Sequence, residues 1–372
     1  MGRCFHSVMV DRQKCEGCAS CVERCPMDAI RLHDGKAEIA AGRCIDCGEC
    51  IRTCPNRAKT VVADTLEKLS GYTYRIALLA PSLQVFLDTE GFPVPVSFEN
   101  VRGVFLNMGF NEVFEVSPAA EVVSFITTRH ILKERPAKPL FSSSCPAVLK
   151  LIQLRFPGLF RHTAPILSPM EVASRLAKEA VMKKTGLPYE EITAFFISPC
   201  PAKITEMRQP ILTTHSAVDA VIGVNEVYGV IVSQLSKEVA RKERGEVQEA
   251  SEPAINVGRF TEALQDTDVI TRMKVSGIYN VIGLLEQIER GRSVDVDFIE
   301  LLACTGGCLG GPLNTRNPFE GAVNLKALIE KYQVERRFYD HEYLVDIYNQ
   351  VCFASTGPSL PPLARNECGE SV

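Results

Sequence analysis

The sequence predicts a small α+β domain followed by a larger α/β domain built on a parallel sheet. A cysteine-rich segment with short strands occurs twice near the N-terminus, and from residue 72 onward short apolar runs alternate with helical periods. With 372 residues, 46% of them hydrophobic, the chain is long enough to bury a sizeable core. We divide it into a first domain over 1–60, a linking helix over 61–71, a second domain over 72–354 and a flexible tail over 355–372.

Composition limits the kind of protein that this is. The 45 acidic and 41 basic residues give a formal net charge of −4, without the basic excess typical of nucleic-acid binding. No apolar stretch has the length of a signal peptide at the N-terminus or of a membrane span elsewhere. The fifteen cysteines are clustered and odd in number, which favours a reducing cytosol over a disulfide framework. We expect a cytoplasmic protein that binds neither nucleic acid nor membranes.

The first domain contains one cysteine ladder in two copies, offset by 29 residues throughout. Each copy reads C-x-x-C-x-x-C-x-x-x-C-P, the bacterial run for two [4Fe–4S] clusters, in which the fourth cysteine binds the other ladder's cluster. The spacing therefore predicts a ferredoxin-like domain with one cluster on Cys15, Cys18, Cys21 and Cys54 and a second on Cys44, Cys47, Cys50 and Cys25. Disulfides or zinc sites are the alternatives, and the doubled pattern argues against both.

The elements of the second domain follow from its hydrophobic pattern, in which short apolar runs alternate with segments of helical period. Strands are predicted at 74–80, 112–117, 139–145, 192–200, 217–224 and 297–304. Helices are predicted at 100–110, 119–134, 146–156, 168–184, 277–291 and 324–333. The charged stretch over 237–252 is expected to be a solvated helix end and loop. The alternation indicates a parallel sheet.

Three of these strands end in cysteine, at Cys145, Cys200 and Cys304, and Cys308 follows four residues after the last. Ligands of open parallel sheets bind outside the carboxyl ends of the strands. Glycines around the last two cysteines would let the backbone approach a bulky group. We therefore expect the four cysteines at one sheet edge, where they could hold a third iron–sulfur cluster. The alternative is that they are ordinary buried residues, since free cysteine is commonly buried.

The segments that carry these cysteines resemble the three signature segments of the [FeFe]-hydrogenases. They are SSSCPAV (142–148), SPCPAKITE (198–206) and ELLACTGGCLGG (300–311), in the family's order and after a two-cluster ferredoxin domain. The resemblance covers nearly the whole chain and implies an α/β domain of the H-cluster type. In that family four cysteines bind a [4Fe–4S] cubane, which is bridged to a [2Fe] subcluster carrying CO, cyanide and azadithiolate.

The resemblance also implies a role for individual residues. Cys145, Cys200 and Cys304 would be cubane ligands, and Cys308 would be the bridging ligand. Lys203 matches the lysine that hydrogen-bonds a cyanide ligand, although a surface lysine at a helix start is the alternative. Pro199 and Ala202 would line the same pocket and contact the cofactor. A buried ammonium there would be stabilised by an anionic cofactor.

The sequence departs from the family at its proton-transfer positions. In the well-studied catalytic members a cysteine precedes the first cubane ligand and passes protons, whereas this chain has Ser144. A thiol titrates near pH ~8.5, but a hydroxyl releases its proton far less readily. The preceding helix offers Thr127, Thr128 and His130, with no carboxylate between Glu121 and the end of EVVSFITTRHIL. These departures resemble the slow and sensory branches of the family.

The resemblance therefore implies a hydrogenase-type oxidoreductase that splits and makes H2 reversibly at low rate, with a role in hydrogen sensing. Its substrates would be H2 and protons, and its partner an external ferredoxin-like electron carrier or a signalling domain or protein. Two alternatives remain open: an iron–sulfur assembly scaffold without the di-iron centre, and a plain electron-transfer subunit. Cys4, Cys352 and Cys368 match no ligand pattern and are expected to be spare thiols.

Overall fold

The computed structural model describes residues 4–87, 96–243 and 270–332. The predicted tail over 355–372 lies outside the described residues, as do Cys352 and Cys368. Cys4 is disulfide-bonded, so it is not the spare thiol that we expected. The twelve cysteines predicted as ligands are all free. A helix with the length and hydrophobicity of a bilayer span does not occur in the described residues.

The first domain has the predicted two-fold repeat, in which a cysteine loop leads into a short helix and then a strand. Its elements are β1 (Val8–Val10), α1 (Ser20–Glu23), β2 (Ile30–His33), β3 (Lys36–Ile39), α2 (Glu49–Arg52) and β4 (Lys59–Val61). Strand β1 pairs antiparallel with β4, and β2 pairs antiparallel with β3. The small core consists of apolar residues from both repeats together with cysteine side chains.

The linking helix predicted over 61–71 differs in the structure. Val61 still belongs to β4, where it pairs with Val8, and only Leu66–Gly71 is helical, as a 3-10 helix. Val61 therefore belongs to the first domain rather than to the linker, because it completes the antiparallel ladder with β1. The segment after it is held by Asp64, whose backbone amide donates to the Val221 carbonyl.

The second domain alternates strands and helices, as the hydrophobic pattern predicted. Its elements are β5 (Tyr74–Leu79), α3 (Pro81–Leu87), α4 (Phe98–Asn107), β6 (Glu112–Glu115), α5 (Ser117–Glu134), β7 (Leu140–Phe141), α6 (Pro146–Arg155), α7 (Pro169–Thr185), β8 (Ile192–Ser198), α8 (Pro201–Arg208), β9 (Ala220–Gly223), α9 (Val224–Glu243), β10 (Arg272–Ser276), α10 (Ile278–Glu289), β11 (Phe298–Leu302) and α11 (Pro318–Tyr332). Further 3-10 helices span Pro157–His162, Tyr189–Glu191 and Gly307–Gly310. Strand β10 was not predicted, and the strand predicted over 139–145 is only the two residues of β7.

The described strands of this domain form two parallel sheets rather than one. The larger has the order β6-β5-β8-β9 and the smaller the order β10-β11-β7. Both faces of the larger sheet are buried: Ile76 and Leu78 of β5 pack in one apolar cluster, and Ala77 and Leu79 pack in another. This burial explains why its strands are continuously apolar in sequence.

Candidate metal centres

The eight ladder cysteines line two separate cavities in the first domain. The first cavity is lined by Cys15, Cys18, Cys21 and Cys54. The second is lined by Cys25, Cys44, Cys47 and Cys50. In each ladder the short helix contains the third cysteine, and the fourth follows two residues after the helix ends and reaches the other ladder's cavity. The crossed grouping is the one that the spacing predicted.

Backbone amides point at the ladder sulfurs in a repeated arrangement. The amide of Ala29 donates to Cys25 Sγ at 3.2 Å, and the amide of Ala58 donates to Cys54 Sγ at 3.2 Å. A third amide, of Ala37, donates to Cys15 Sγ at 3.4 Å and is the largest influence lowering the pKa of that thiol. Hydrogen bonds of this kind stabilise thiolates, which are the form that binds iron.

A third cavity, of about 190 Å³, is lined by the remaining four predicted ligands, Cys145, Cys200, Cys304 and Cys308. Two of the cysteines follow β7 and β11 of the smaller sheet, whereas Cys200 follows β8 of the larger one. The site therefore lies between two sheets. The expectation that the four cysteines meet at the edge of one sheet was wrong. The convergence still uses carboxyl ends of parallel strands, because β7, β8 and β11 all run parallel to their partners.

The environment of the third cavity suits a cationic metal centre. Burial raises the pKa of the Cys304 and Cys308 thiols to about 12, and neighbouring cysteine sulfurs add to the effect. Four thiolates alone would therefore be unfavourable here, whereas iron ions would offset both the desolvation and the mutual repulsion. Cys308 is nevertheless an exposed residue, because it lines the cavity and part of its surface faces the open space there.

The glycine-rich loop after β11 packs tightly against the segment that carries Cys200. A Cβ atom added at Gly311 would lie 2.4 Å from the Pro199 carbonyl oxygen, which also accepts a hydrogen bond from the Leu313 amide at 2.9 Å. This close approach requires glycine. It fixes the two cysteine segments relative to each other and explains at least one of the glycines noted in the sequence.

Lys203 lines the third cavity and is paired with Glu206 across a 2.6 Å contact, with both side chains only about a tenth exposed. Burial lowers the pKa of the Lys203 ammonium, but Glu206 and the cysteine sulfurs outweigh it and the net pKa is raised. Lys203 is thus a buried cation beside the cysteines and not a surface lysine. Pro199 also lines the cavity, as the resemblance implied.

Ala202 does not line this cavity. It is 2% exposed and packs in an apolar cluster with Phe141 and Ile45, because the first turn of α8 directs it away from the side that carries Lys203. The pocket position that we predicted for Ala202 is therefore corrected to a core position.

Ser144 lines the third cavity next to Cys145, and Thr127 lines it from α5. His130 is buried but is not among the lining residues, and burial lowers its pKa. Ser144 therefore lines the third cavity, whereas His130 does not.

Two titratable residues of the cavity wall were missed from the sequence. Lys274 of β10 and Glu300 of β11 are register partners, with Lys274 Nζ 3.6 Å from Glu300 Oε2. Burial raises the pKa of Glu300, and its Oε2 has no hydrogen-bond partner in the described part of the chain. Lys274 was missed because β10 was not predicted. Glu300 was visible in its motif, but only the pairing with β10 reveals its partner.

Comparison with known proteins places this architecture in a family. Residues 7–55 match the 4Fe-4S dicluster domain, and residues 73–259 and 233–312 match the "Iron only hydrogenase large subunit, C-terminal domain". A similar solved structure is an apo [FeFe]-hydrogenase from Chlamydomonas reinhardtii, with a TM-score of 0.55, 16% identity, and coverage of 74% of this chain and 89% of that one. At this identity the likeness concerns the fold.

Similar curated proteins include both hydrogenases and assembly factors. The periplasmic [Fe] hydrogenase large subunit of Nitratidesulfovibrio vulgaris is 29% identical over 60% of this chain and 57% of its own length. Iron hydrogenase 1 of Clostridium pasteurianum is 25% identical over 82% of this chain and 64% of its own length. A probable cytosolic Fe-S cluster assembly factor of Drosophila ananassae is 22% identical over 63% of this chain and 60% of its own length. The chain thus spans about three fifths of the length of these relatives.

The family match extends over more than half of the chain and includes all four cysteines of the third cavity. The protein is an iron–sulfur protein that belongs to the iron-only hydrogenase large-subunit family.

Proposed function

We propose that this chain is a hydrogenase-type oxidoreductase that oxidises H2 and reduces protons reversibly at low rate, in the service of hydrogen sensing. The observation that carries the proposal is the third cavity, where four cysteines from three separate segments meet beside a buried lysine. The ion pair with Glu206 holds the Lys203 ammonium at the cavity wall, where it offers a charged donor to an anionic group bound beside the cysteines.

The cavities indicate which residues would hold which group. Three [4Fe–4S] clusters would bind to the twelve cysteines, four in each cavity. A [2Fe] subcluster with CO, cyanide and azadithiolate would attach through Cys308 and would supply the site where H2 is split or formed. Lys203 would donate a hydrogen bond to the anionic ligands of the subcluster. Ser144 would face the subcluster with a hydroxyl, which exchanges protons less readily than a thiol would at the same position.

Exposure of the first cavity suits an electron partner. Cys18, which lines the first cavity, is exposed. An external ferredoxin-like carrier, or a signalling domain or protein, would meet the chain there. We include a cytoplasmic location in the proposal, since the cytosol keeps thiols reduced for cluster insertion.

Infrared spectroscopy of the matured protein tests the proposal. Iron-bound CO and cyanide absorb where protein does not, so the proposal expects those bands after maturation with a synthetic or enzymatically supplied [2Fe] subcluster. The iron content should rise from about twelve to about fourteen per chain on standard cluster stoichiometry. A Cys308→Ala variant should lose the bands. A protein that takes up three cubanes and shows no such bands would contradict the hydrogenase proposal.

The second candidate is an iron–sulfur assembly scaffold, which the similarity to cytosolic Fe-S cluster assembly factors favours. It would keep the cubanes and lack the di-iron unit. Transfer of a labelled cluster to an apo-acceptor protein, without hydrogen uptake, is the result that it predicts. A plain electron-transfer subunit would instead keep all activity in the Cys308→Ala variant.

A further inference from the structure

Arg52 connects the second cavity to the third. It ends α2 inside the second ladder, and its Nη2 donates to the Gly310 carbonyl in the glycine-rich loop at 2.7 Å. Its Nη1 donates to the Cys47 carbonyl at 3.3 Å and to Glu49 Oε1 at 2.9 Å. The guanidinium is also near enough to the Cys304 sulfur to lower the pKa of that thiol, against the larger effect of burial, which raises it. One side chain therefore contacts a predicted ligand of the second cavity and the loop that carries two predicted ligands of the third.

The packing around Arg52 brings the two cavities together. Gly48 precedes α2 with a φ of +75°, and a Cβ atom there would lie 2.3 Å from Pro312 Cγ. The second ladder thus lies directly against the loop that carries Cys304 and Cys308. Arg52 is about 29% exposed, so its charge is only partly screened by solvent.

The guanidinium of Arg52 places a positive charge at the loop that holds two ligands of the third cavity. Gly310, whose carbonyl it contacts, lies two residues after Cys308. In agreement with this geometry, Arg52 is the largest influence that lowers the pKa of Cys304. A cation that favours the thiolate at Cys304 will also favour added electron density on a cluster that this sulfur binds.

We propose that Arg52 is a positioning residue that raises the reduction potential of the cluster held by Cys145, Cys200, Cys304 and Cys308, and so favours its reduction by the second cluster. The inference rests on the proposed ligand sets but not on the di-iron centre. In the step concerned, one electron leaves the second cluster and one electron enters the third, with no bond broken. The carbonyl of Gly310 and the carboxylate of Glu49 hold the guanidinium in place for this role.

A redox titration of the protein reconstituted with cubanes alone, followed by electron paramagnetic resonance, tests the inference. Arg52→Gln should lower the potential of the third cluster by the equivalent of about tenfold in its reduction equilibrium, which is about 59 mV for one electron. The first cluster should not move. Arg52→Lys keeps the charge and should recover part of the loss. Glu49→Gln should shift the third cluster upward, because it removes the carboxylate that partly neutralises Arg52.

Arg12→Gln is the matched control, because it removes the same charge from the same domain at an exposed pair with Glu38. Its third-cluster potential should equal that of the wild type. An unchanged third-cluster potential in Arg52→Gln would overturn the inference, as would a wild-type protein that forms no third cluster. If the matured protein shows the CO and cyanide bands but Arg52→Gln leaves the third-cluster potential unchanged, the hydrogenase proposal stands and the role of Arg52 is rejected. If Arg52→Gln lowers that potential but the matured protein shows no such bands, the role of Arg52 stands and the hydrogenase proposal is rejected.

Discussion

Thr205 Oγ1 donates a hydrogen bond of 2.6 Å to Asp46 Oδ2, and this contact joins the two domains beside the second and third cavities. Asp46 lies inside the second ladder, whereas Thr205 lies on α8, which begins after Cys200. The other carboxylate oxygen accepts hydrogen bonds from the amides of Ser7 and Val8 and from the Ser7 hydroxyl. With an exposed fraction of 1%, the Asp46 carboxylate is buried and is stabilised by these donors, together with the Cys44 sulfur, which donates to Oδ1 at 3.7 Å.

We predict that Asp46→Asn lowers the free energy of unfolding by about 2 kcal/mol, because it removes the charge and one acceptor while several donors remain buried. Thr205→Val removes one hydrogen bond and should cost about 1 kcal/mol. Chemical unfolding of the cluster-loaded protein measures both. Asp28→Asn is the control, since Asp28 is exposed and has a similar left-handed backbone, with φ of 49° against 53° at Asp46. Equal stability of the Asp46 and Asp28 variants would contradict this account of the domain junction.

The crossed ladders give a second prediction. Because Cys54 lines the cavity of Cys15, the Cys54→Ser variant should lose the same cluster as Cys15→Ser. Cys25→Ser should lose the same cluster as Cys44→Ser. Paramagnetic resonance of the reduced protein distinguishes the two clusters, and each variant should lose about four irons. If Cys54→Ser instead gave the spectrum of Cys44→Ser, each ladder would bind its own cluster and the crossed assignment would be wrong.

The parts that the sequence predicted best are those with a local signal. The ladder spacing predicted which four cysteines line each small cavity, because two nearly identical repeats fold about one pseudo-symmetry. Cysteines at strand ends predicted that Cys145, Cys200 and Cys304 would meet, since parallel strands present their carboxyl ends together. The division into two sheets was missed, because β7 pairs with β11 over only two residues and so leaves almost no pattern in the sequence.

The residues that sequence reasoning missed act through contacts between distant segments. Arg52 reaches Gly310 across 258 positions, and Thr205 reaches Asp46 across 159. Neither pair has a spacing or a periodicity that marks it, because both depend on how the two domains pack. Lys274 belongs to the same class, since it becomes a cavity residue only through the register of β10 with β11.

The buried pair of Lys203 and Glu206 gives a third prediction. Lys203→Met should destabilise the apoprotein by about 3 kcal/mol at neutral pH, because it leaves the Glu206 carboxylate buried without its cation. Burial already raises the pKa of the nearby Glu171, and Glu206 raises it further while Lys203 opposes the rise. Thermal unfolding measures the loss, and the exposed Lys183→Met variant should lie within about 0.5 kcal/mol of the wild type.

The pH dependence of that variant follows from the same charges. Without Lys203 the folded-state pKa of Glu171, which burial and Glu206 already raise, rises further above its unfolded value. A carboxyl shifted in this direction loses stability as pH rises through the folded-state pKa. The deficit of Lys203→Met should therefore grow as pH rises above ~4.3, the ordinary pKa of a glutamic acid. The double variant Lys203→Met with Glu206→Gln should recover part of the stability and flatten the profile. A deficit that does not vary with pH would indicate lost packing rather than an unpaired charge.

Proton supply at Ser144 gives the last prediction, which rests on the proposed function. In the fully matured protein, Ser144→Cys should raise hydrogen turnover by about 100-fold, because a thiol with a pKa near ~8.5 exchanges protons at a position where a hydroxyl does not. Ser143→Cys is the matched control: it places the same group one residue away, where the native hydroxyl donates to the Ile166 carbonyl at 2.5 Å. Turnover is measured with a chemical reductant, so that the natural electron carrier is not needed. Full infrared bands with an unchanged rate in Ser144→Cys would mean that proton transfer at this position does not limit the reaction.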